Sequence, residues 1–372
     1  MSLSPTLAFD ENYSSTRYFL LELSPQLLTE FNENLPSISI KGAEGHDAFF
    51  ITPNHTLKVK ECEYSNSDLI VNPSDPSFYK VCASLNCILE LVPTLPHLTE
   101  IHSYGLSVQY DSPAFDCSAA RSSQSLLDSC CCSHVDFLAH LKEHKYVVCS
   151  NSGPVNLLYD PFSHFDPSIA FVKPSLSYTK FLLEQVIFYC IEKELNDLVI
   201  DLSFFLEELS DHNGFIVSQI IKSYSLNTLS SSVLQLCPVQ LARHRALLLF
   251  DDCTKLNLEV FMEKWCDSVS DLLELIPNFE LNMSSLIGSI VKLPVIDQGQ
   301  VLKEFAVFFP IDLLSTDPGT RFSQLFKLKD QWSLEELEVY IRPLCREYSF
   351  DSLLVKYARK VIGVDSPVFS KR

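Results

Sequence analysis

The sequence RFSQLFKLKDQWSLEELEVYIRPLC (residues 321–345), followed by SFDSLLVKYARKVIG (349–363) and VDSPVFSKR (364–372), decides the fold of the C-terminal part. Apolar residues recur at helical spacing in three successive segments, and a short extended run follows Gly363. Three short helices followed by a terminal β-ribbon are the arrangement of a winged helix, which is a variant of the helix-turn-helix fold. We therefore predict a winged helix over residues 318–372.

Local signals mark the ends of the second helix in this module. Ser333, followed three residues later by Glu336, has the pattern of a capping box. Pro343 marks the end of the helix, since proline cannot continue it. Trp332 stands before the cap, where a hydrophobic residue packs toward Leu337. We interpret this tryptophan as a core residue, with stacking on a nucleic-acid base as the alternative.

The third predicted helix begins at its N-cap Ser349 and carries two separate arcs. At about 100° per residue, one arc is apolar and consists of Leu353, Leu354, Tyr357 and Val361. The other arc is basic and consists of Lys356, Arg359 and Lys360, while Lys371 and Arg372 end the terminal run. We predict that these five basic residues contact DNA. The expected mode is non-specific binding to phosphates, because no set of side chains aimed at base edges is evident. Simple solvation of an exposed helix face is the alternative explanation.

The charge of this module differs from that of the rest of the chain. Residues 318–372 contain ten Lys and Arg against seven Asp and Glu, whereas the whole chain has a net charge of −19. Phosphate contacts need local positive potential, so the chain as a whole is not a nucleic-acid coat. An acidic protein can still contact DNA through one basic face.

Both ends of the chain resemble one protein family. The residues FFPIDLLSTDPGTRFSQLFKLKDQWSLEELEVYIRPLC (308–345), followed by LLVKYARK (353–360), look like the C-terminal end of the Dcc family of sister chromatid cohesion proteins. YFLLELSPQLL (18–28), SISIKG (37–42) and DAFFITPNHTLKVKECEYSNSDLIV (47–71) are similar to the start of that family in order and spacing. The ordered set carries the resemblance, since no single string is diagnostic.

The resemblance implies a non-catalytic subunit of an alternative replication factor C clamp loader. In that family the N-terminal part joins the small companion subunit and a C-terminal segment of the large ATPase subunit in a shared β structure. The family also implies that the complex loads or unloads the PCNA sliding clamp, supports sister chromatid cohesion in the nucleus, and contacts the leading-strand polymerase epsilon through its winged-helix part. These partners are expectations that rest on the resemblance.

Alternating patterns predict strands in the first hundred residues. Residues 37–51 have the pattern of a hairpin, and residues 56–71 alternate again, with a turn signal at 65–68. The stretch ASLNCILELV (83–92) has a helical pattern instead. Much later, the residues after Asn213-Gly214 have a β-like pattern. A few strands with uncovered edges rarely suffice alone, so we expect the N-terminal strands to pair with other chains.

The predicted fold is α+β, a partial β-barrel completed by partner subunits and followed by tandem winged-helix domains. Residues 1–105 form the β-rich module. Residues 106–166, which are rich in Ser, Pro and Cys, are interpreted as an insertion or linker. Helices followed by short extended segments predict winged helices over 167–230, 231–317 and 318–372. This repeat is one of element order alone, since the three segments share no visible sequence identity.

Enzymatic and metal-binding interpretations find little support. The chain has nine glycines and contains no GxxxxGK[ST] phosphate loop, GxSxG elbow, HExxH pair or CxxC pair. Cys130-Cys131-Cys132 with His134 lacks the two-residue gap that wraps a chain around zinc, and it lies in a Ser-rich segment. A Cys/His dyad built from Cys149 and nearby histidines has no geometric support. We predict no catalytic residue, cofactor or metal.

Length and composition predict a folded intracellular protein. At 372 residues with 47% hydrophobic residues, the chain can fill the cores of two or three domains. The N-terminus resembles no secretory signal, and no apolar run approaches the roughly 18 to 20 residues of a membrane span. The thirteen cysteines are scattered in the manner of reduced thiols. We expect no membrane partner.

Overall fold

The protein is described here by a computed structural model. The described residues are 6–11, 13, 18–33, 37–42, 47–75, 78–150, 158, 160–297, 300–362 and 367–372. The chain is α+β, as predicted. It divides into two compact units, of which the first comprises Met1–Pro96 with Cys131–Asp136 and the second comprises His97–Cys130 with Phe137–Arg372.

The first unit is built on one six-stranded sheet. Its elements are β1 (Thr6–Phe9), β2 (Leu20–Glu22), α1 (Pro25–Glu33), β3 (Ser39–Lys41), β4 (Phe49–Ile51), β5 (Thr56–Asp75) and β6 (Phe78–Pro93). The strand order is β1-β6-β5-β4-β3, and β2 also pairs with β6. β1 and β2 run parallel to β6, while the other pairs are antiparallel. The described strands do not close into a barrel.

The long hairpin of β5 and β6 corrects two predictions. The residues at 65–68 do not form a hairpin turn, because β5 continues through them. The register moves from Glu63 opposite Cys87 to Asp68 opposite Leu85, so four residues of β5 face one residue of β6. Residues 64–67 therefore form a large β-bulge where a turn was predicted. Residues 83–92 are strand instead of helix, since pairing along β5 overrides their helical pattern.

The second unit contains most of the helices. In chain order, its elements are α2 (Thr99–Ser107), β7 (Gln109–Tyr110), α3 (Ser123–Asp128), α4 (His134–Glu143), β8 (Val147–Val148), β9 (Phe171–Pro174), α5 (Leu176–Glu192), β10 (Val199–Asp201), α6 (Leu202–Glu208), α7 (Gly214–Lys222), β11 (Ser225–Thr228), β12 (Val233–Leu236), α8 (Pro238–Leu248), β13 (Lys255–Asn257), α9 (Leu258–Ser268), α10 (Ser270–Leu275), β14 (Ile290–Asp297), β15 (Gln300–Phe308), α11 (Pro318–Leu328), β16 (Gln331–Ser333), α12 (Leu334–Ile341), α13 (Phe350–Tyr357), β17 (Ala358–Ile362) and β18 (Pro367–Lys371). The first residues of α4 belong to the segment assigned to the first unit.

One order of elements occurs four times along this part of the chain. Each block consists of a helix, a strand, two helices and two strands: block one is α2 to β9, block two is α5 to β12, block three is α8 to β15 and block four is α11 to β18. The sheets are β7-β9-β8, β10-β12-β11, β13-β15-β14 and β16-β18-β17, so the last strand always lies in the middle. Pairing is antiparallel in blocks two to four, whereas β7 runs parallel to β9.

In blocks two to four, the first strand leads directly into the next helix. The last strand residues are Asp201, Asn257 and Ser333, and each is the N-cap of the following helix. Their side chains accept hydrogen bonds from the first-turn N–H groups, for example from Ser203 at 2.9 Å. Ser333 forms the predicted capping box with Glu336. A polar cap therefore replaces a connecting loop in each block.

Residues 106–166 are not a linker in their described part. They contain α3, α4 and the strands β7 and β8, and Leu126, Phe137 and Leu141 are completely buried. Cys130 and Cys132 are also buried, so the cysteine cluster does not lie in a surface loop. The Ser-rich composition concealed two short helices whose apolar faces fill a core.

The segment from 131 to 136 is fixed in the first unit by a polar network. The Thr56 hydroxyl donates to the Asp136 carboxylate at 2.6 Å and accepts from the Ser133 N–H at 2.8 Å. The Ser133 hydroxyl donates to the same carboxylate oxygen at 2.9 Å. Because these groups are buried, the hydrogen bonds offset the cost of removing them from water.

The expected β-like run after Asn213 is the helix α7. The Asn213 side chain accepts from the N–H groups of Phe215 and Ile216, which makes it an N-cap. The apolar residues that follow are buried at helical spacing, and they are Ile216, Val217, Ile220 and Ile221. The boundary predicted at 230 also moves, since β12 pairs with β10 and β11.

Two tryptophans anchor separate cores. Trp265 lies in a core that residues of blocks one to three share, and its indole N–H donates to the Ala242 carbonyl at 2.8 Å. Trp332 is fully buried in block four and donates to the Lys329 carbonyl at 2.9 Å. Trp332 is therefore a core residue, as predicted, and Trp265 is one as well. Among the described helices, none combines the length and the apolar character that a membrane span requires.

Candidate nucleic-acid interface and partner-binding sheet

The five basic residues predicted to contact DNA are distributed differently from the prediction. Helix α13 ends at Tyr357, and the backbone becomes extended at Ala358. Only Lys356 therefore lies on the helix, while Arg359 and Lys360 lie on β17. The prediction that all three share an arc of one helix is wrong. The reason is that β17 pairs with β18 along five residues, which stabilises a strand where the local spacing is also helical.

The ribbon divides the basic side chains between its two faces. Arg359 lies opposite Ser370 and Lys360 lies opposite the buried Phe369. Because successive strand residues point to opposite faces, Arg359 and Lys360 lie on different faces of the ribbon. The Arg359 Nε donates to the Ser370 hydroxyl at 2.9 Å, which orients this side chain along its own face.

The remaining basic residues gather around the last turn of α13. Lys371 pairs with Ala358, so it lies at the base of the ribbon and not at its tip. The Arg372 guanidinium donates to the Val355 carbonyl, and its backbone N–H donates to the Tyr357 carbonyl at 3.3 Å. A cation at a helix C-terminus interacts favourably with the helix dipole, so Arg372 also stabilises α13.

Other basic residues of block four are engaged within the fold. Lys329 forms an ion pair with Glu336 at 2.7 Å, and Arg342 forms one with Glu338 at 2.6 Å. The buried Arg321 donates to three backbone carbonyls, including that of Tyr340 at 2.7 Å.

By contrast, the five predicted contact residues are exposed, and within the described part of the chain none of them forms an ion pair. Lys327 on α11 is exposed as well. The exposed cations of the last seventeen residues are therefore available to an anionic partner.

The N-terminal sheet presents a second candidate site. β4 pairs with β5 only between Thr56 and Lys58. Farther along, residues 61–63 and 68–72 of β5 pair with β6 on one edge, and no described strand pairs with the other edge. An open edge of this length presents backbone N–H and C=O groups to which another strand can add.

Apolar side chains are exposed around the same sheet. They include Leu7, Phe9, Phe19, Ile38, Ile40, Leu69 and Val71. Among the described residues of this unit, one apolar cluster centres on Leu27, Phe50 and Leu57. A sheet with an open edge and many exposed apolar side chains has the properties of an interface.

The described residues contain no group of three or more His, Cys, Asp or Glu side chains arranged to hold a metal ion. Cys149 lies beside Cys117, and burial raises the pKa of its thiol well above the usual range. A thiol with a raised pKa is a poor nucleophile, so the Cys/His dyad gains no geometric support.

Comparisons with known proteins agree with the resemblance of both chain ends. Residues 18–341 match the family described as "Sister chromatid cohesion protein Dcc1". The chain is 24% identical to "Sister chromatid cohesion protein DCC1" of Danio rerio over 393 residues, which covers 98% of this chain and 92% of the relative. It is 23% identical to the "Probable sister chromatid cohesion protein DCC1" of Dictyostelium discoideum, over 95% of this chain and 94% of the relative.

A shorter match joins the chain to the human protein. It is 27% identical to "Sister chromatid cohesion protein DCC1" of Homo sapiens over 134 residues, which covers 36% of this chain and 31% of the relative. The five exposed basic residues lie beyond the part matched by the family description, while the zebrafish relative aligns over nearly the whole chain. Since the family match covers most of the sequence, the chain belongs to the Dcc1 family of sister chromatid cohesion proteins.

Proposed function

We propose that the chain is a non-catalytic subunit of an alternative, cohesion-type replication factor C clamp loader in the nucleus. The N-terminal sheet would join the small companion subunit and the large ATPase subunit in a shared β structure. The loader would place the PCNA sliding clamp on DNA, or remove it, during replication. Membership of the Dcc1 family supports a role in sister chromatid cohesion.

The open edge of β5 is the observation that carries this proposal. Residues 61–72 offer a row of backbone groups to a further strand, and the exposed apolar residues of the sheet surround it. Leu69 is 47% exposed and Val71 is 37% exposed on β5 itself. Burial of a side chain of this size against a partner contributes about 1.5–3 kcal/mol, so several such residues supply much of the free energy of association.

The test is copurification of the full chain with the companion and ATPase subunits. We expect that Leu69→Asp combined with Val71→Asp reduces recovery of the complex at least about tenfold, because the charges would have to be buried at the new interface. The matched control is Leu226→Asp with Leu302→Asp, which alters exposed leucines on strands of the second unit. Full recovery with the first pair would contradict the proposal.

We further propose that the four blocks are winged-helix domains that position the loader on DNA or on polymerase epsilon. The order of elements and the central position of the last strand in each sheet support this proposal. In block four, α13 and the ribbon of β17 and β18 would contact DNA phosphates through Lys356, Arg359, Lys360, Lys371 and Arg372. Their exposure and their lack of ion pairs within the described part of the chain favour this role.

Charge reversal tests the DNA contact. The triple variant Lys356→Glu, Arg359→Glu and Lys360→Glu of the full chain should weaken binding to duplex DNA. It should also reduce the slope of affinity against salt by about two to three, because each lost phosphate contact retains its counterion. The control changes exposed lysines of block three by the same charge: Lys255→Glu, Lys264→Glu and Lys303→Glu. An equal loss in both variants would show that only the net charge of the chain matters.

A winged-helix scaffold that binds protein without DNA contact is the second candidate. Exposed aromatic residues favour it, since Phe188 on α5 and Phe204 on α6 present more than half of their surface to solvent. Arg359 and Lys360 also lie on different faces of the ribbon, so one DNA duplex is less able to contact both side chains. The same salt series distinguishes the two functions, because the scaffold requires DNA binding that is absent or independent of salt.

A further inference from the structure

A cavity with several charged side chains in its walls lies in the second unit, and no residue of the basic ribbon lines it. Its volume is about 510 Å³, and its walls come from the end of α4, β9, α5, α7 and α8, together with residues 288–289 and 311–312. The wall toward α7 and α8 contains Lys145, Tyr224, Gln240, Arg243 and His244. The volume lies within the range of small-molecule sites.

Lys145 enters this cavity from an unusual backbone position. It follows α4 with φ of 58°, in the left-handed region that favours glycine. Its ammonium lies 3.0 Å from the centroid of the Tyr224 ring and donates to the Gln240 side-chain oxygen at 3.1 Å. A lysine in this conformation costs backbone strain that a glycine would avoid. The fold therefore has a lysine at this position in spite of the backbone strain.

The neighbours of Lys145 add positive charge. Arg243 donates to the Ser289 hydroxyl at 2.6 Å and to the Ser285 carbonyl at 3.4 Å. Neither Lys145 nor Arg243 forms an ion pair with any carboxylate of the described residues. Burial, with a contribution from Arg243, lowers the pKa of Lys145 to about 7, while the Cys237 thiol acts in the opposite direction.

His244 lies in the same wall and holds Tyr224, whose ring lies against Lys145. Its side chain is only 4% exposed, and its Nδ1 shares a hydrogen bond with the Tyr224 hydroxyl at 2.9 Å. Its Nε2 has almost no accessible surface and no hydrogen-bond partner among the described residues, so this nitrogen is closed off from the space of the cavity.

The cavity also contains two carboxylates, Glu143 and Asp312. Asp312 lies 3.6 Å from His144 Nδ1, and its charge partly opposes the lowering of the Lys173 pKa that burial causes, so it acts on both of these basic residues. Neither carboxylate forms an ion pair with Lys145 or Arg243 in the described part of the chain. The wall of Lys145 and Arg243 thus has positive charge without an ion-pair partner among the described residues.

We propose that this cavity binds a small oxyanion of the phosphate class, either free phosphate or the phosphate of a nucleotide. The Lys145 ammonium and the Arg243 guanidinium would donate charge-assisted hydrogen bonds. Such an anion would neutralise the buried cations. The site would be distinct from the DNA and partner surfaces, and it does not depend on the proposed function.

Thermal unfolding of the full chain tests the proposal. At matched ionic strength, about 10 mM inorganic phosphate in place of chloride should raise the apparent Tm by about 2–4 °C, and ATP is the parallel probe for a nucleotide. Lys145→Met should abolish the shift and raise the Kd for the effective probe at least about tenfold, measured by calorimetry. Without anion, this variant should be as stable as the wild type or more stable, because it removes an uncompensated charge.

Two controls make the result decisive. Lys264→Met removes an exposed lysine elsewhere and should keep the full response to the anion. Arg243→Gln provides a second change in the same wall and should also lose the response. The proposal is overturned if neither phosphate nor ATP shifts the Tm of the wild type. It is equally overturned if Lys145→Met responds as strongly as the wild type.

Discussion

At the scale of single residues, short-range hydrogen bonds cap the helices of block four, and one buried tryptophan anchors its core. Ser333, Glu336 and Ser349 have the capping roles that their positions indicate, and Trp332 is buried as expected. These roles depend on neighbours within four residues, so local sequence suffices to predict them. Arg359 and Lys360 were placed wrongly, because the change from helix to strand at Ala358 depends on pairing with β18.

The cavity around Lys145 could not be predicted from the sequence, because its lining residues lie far apart along the chain. Nothing near Lys145 in the sequence shows that Arg243 and His244, about a hundred positions later, lie against it. The one local signal is a lysine where a helix ends, at a position that often holds glycine. Three-dimensional packing is needed to bring these distant residues together.

Buried histidines predict a loss of stability in acid. His140 and His144 stack with ring centroids 4.1 Å apart. Burial lowers the pKa of His140 to about 3, with contributions from His144, Lys173 and His102, while Asp312 acts in the opposite direction. Burial likewise lowers the pKa of His144 to about 4. Both groups remain neutral in the folded state under conditions where the unfolded chain is protonated.

Between pH 6.5 and about 4, the unfolded state therefore binds more protons than the folded state. The free energy of unfolding should fall as the pH falls through this window, by up to about 1.4 kcal/mol per pH unit for each histidine. Urea unfolding at several pH values measures the slope. His140→Gln should reduce the slope, whereas an unchanged slope would show that other groups cause the acid sensitivity.

At the scale of elements, the sequence patterns predicted helices and strands correctly only where local propensity and long-range pairing or burial favour the same structure. The hairpin of β3 and β4 and the helices α11 and α12 occur as predicted. Residues 83–92 form a strand because β5 pairs with most of their length. The residues after Asn213 form a helix because four aliphatic side chains at helical spacing are buried. Strand pairing and burial are not visible in a short window of sequence.

The capping box of α12 gives a prediction for one element. Ser333→Ala removes the hydroxyl that accepts from the Glu336 N–H at 3.2 Å, and should destabilise the protein by about 1 kcal/mol. Ser333→Thr keeps a hydroxyl and should retain most of the stability. Chemical unfolding of both variants measures the difference. Equal stability of the two would mean that the cap contributes nothing measurable to α12.

At the scale of the whole molecule, the repeat is larger than the sequence indicated. Three units were predicted and four blocks occur, because residues 99–174 repeat the same order of elements. Two features concealed the first block: its Ser-rich composition and strands of only two residues. The two compact units then have separate proposed tasks. The sheet of the first would bind partner subunits, and the blocks of the second would position the assembly.

The central claim is that the N-terminal sheet is completed by other chains. Hydrogen exchange of the β5 amides, measured for the full chain alone and in complex with the companion and ATPase subunits, tests it most directly. The amides of residues 61–72 that point away from β6 should exchange rapidly in the chain alone and at least about tenfold more slowly in the complex. Exchange that is already slow in the chain alone, or is unchanged by the complex, would contradict the claim.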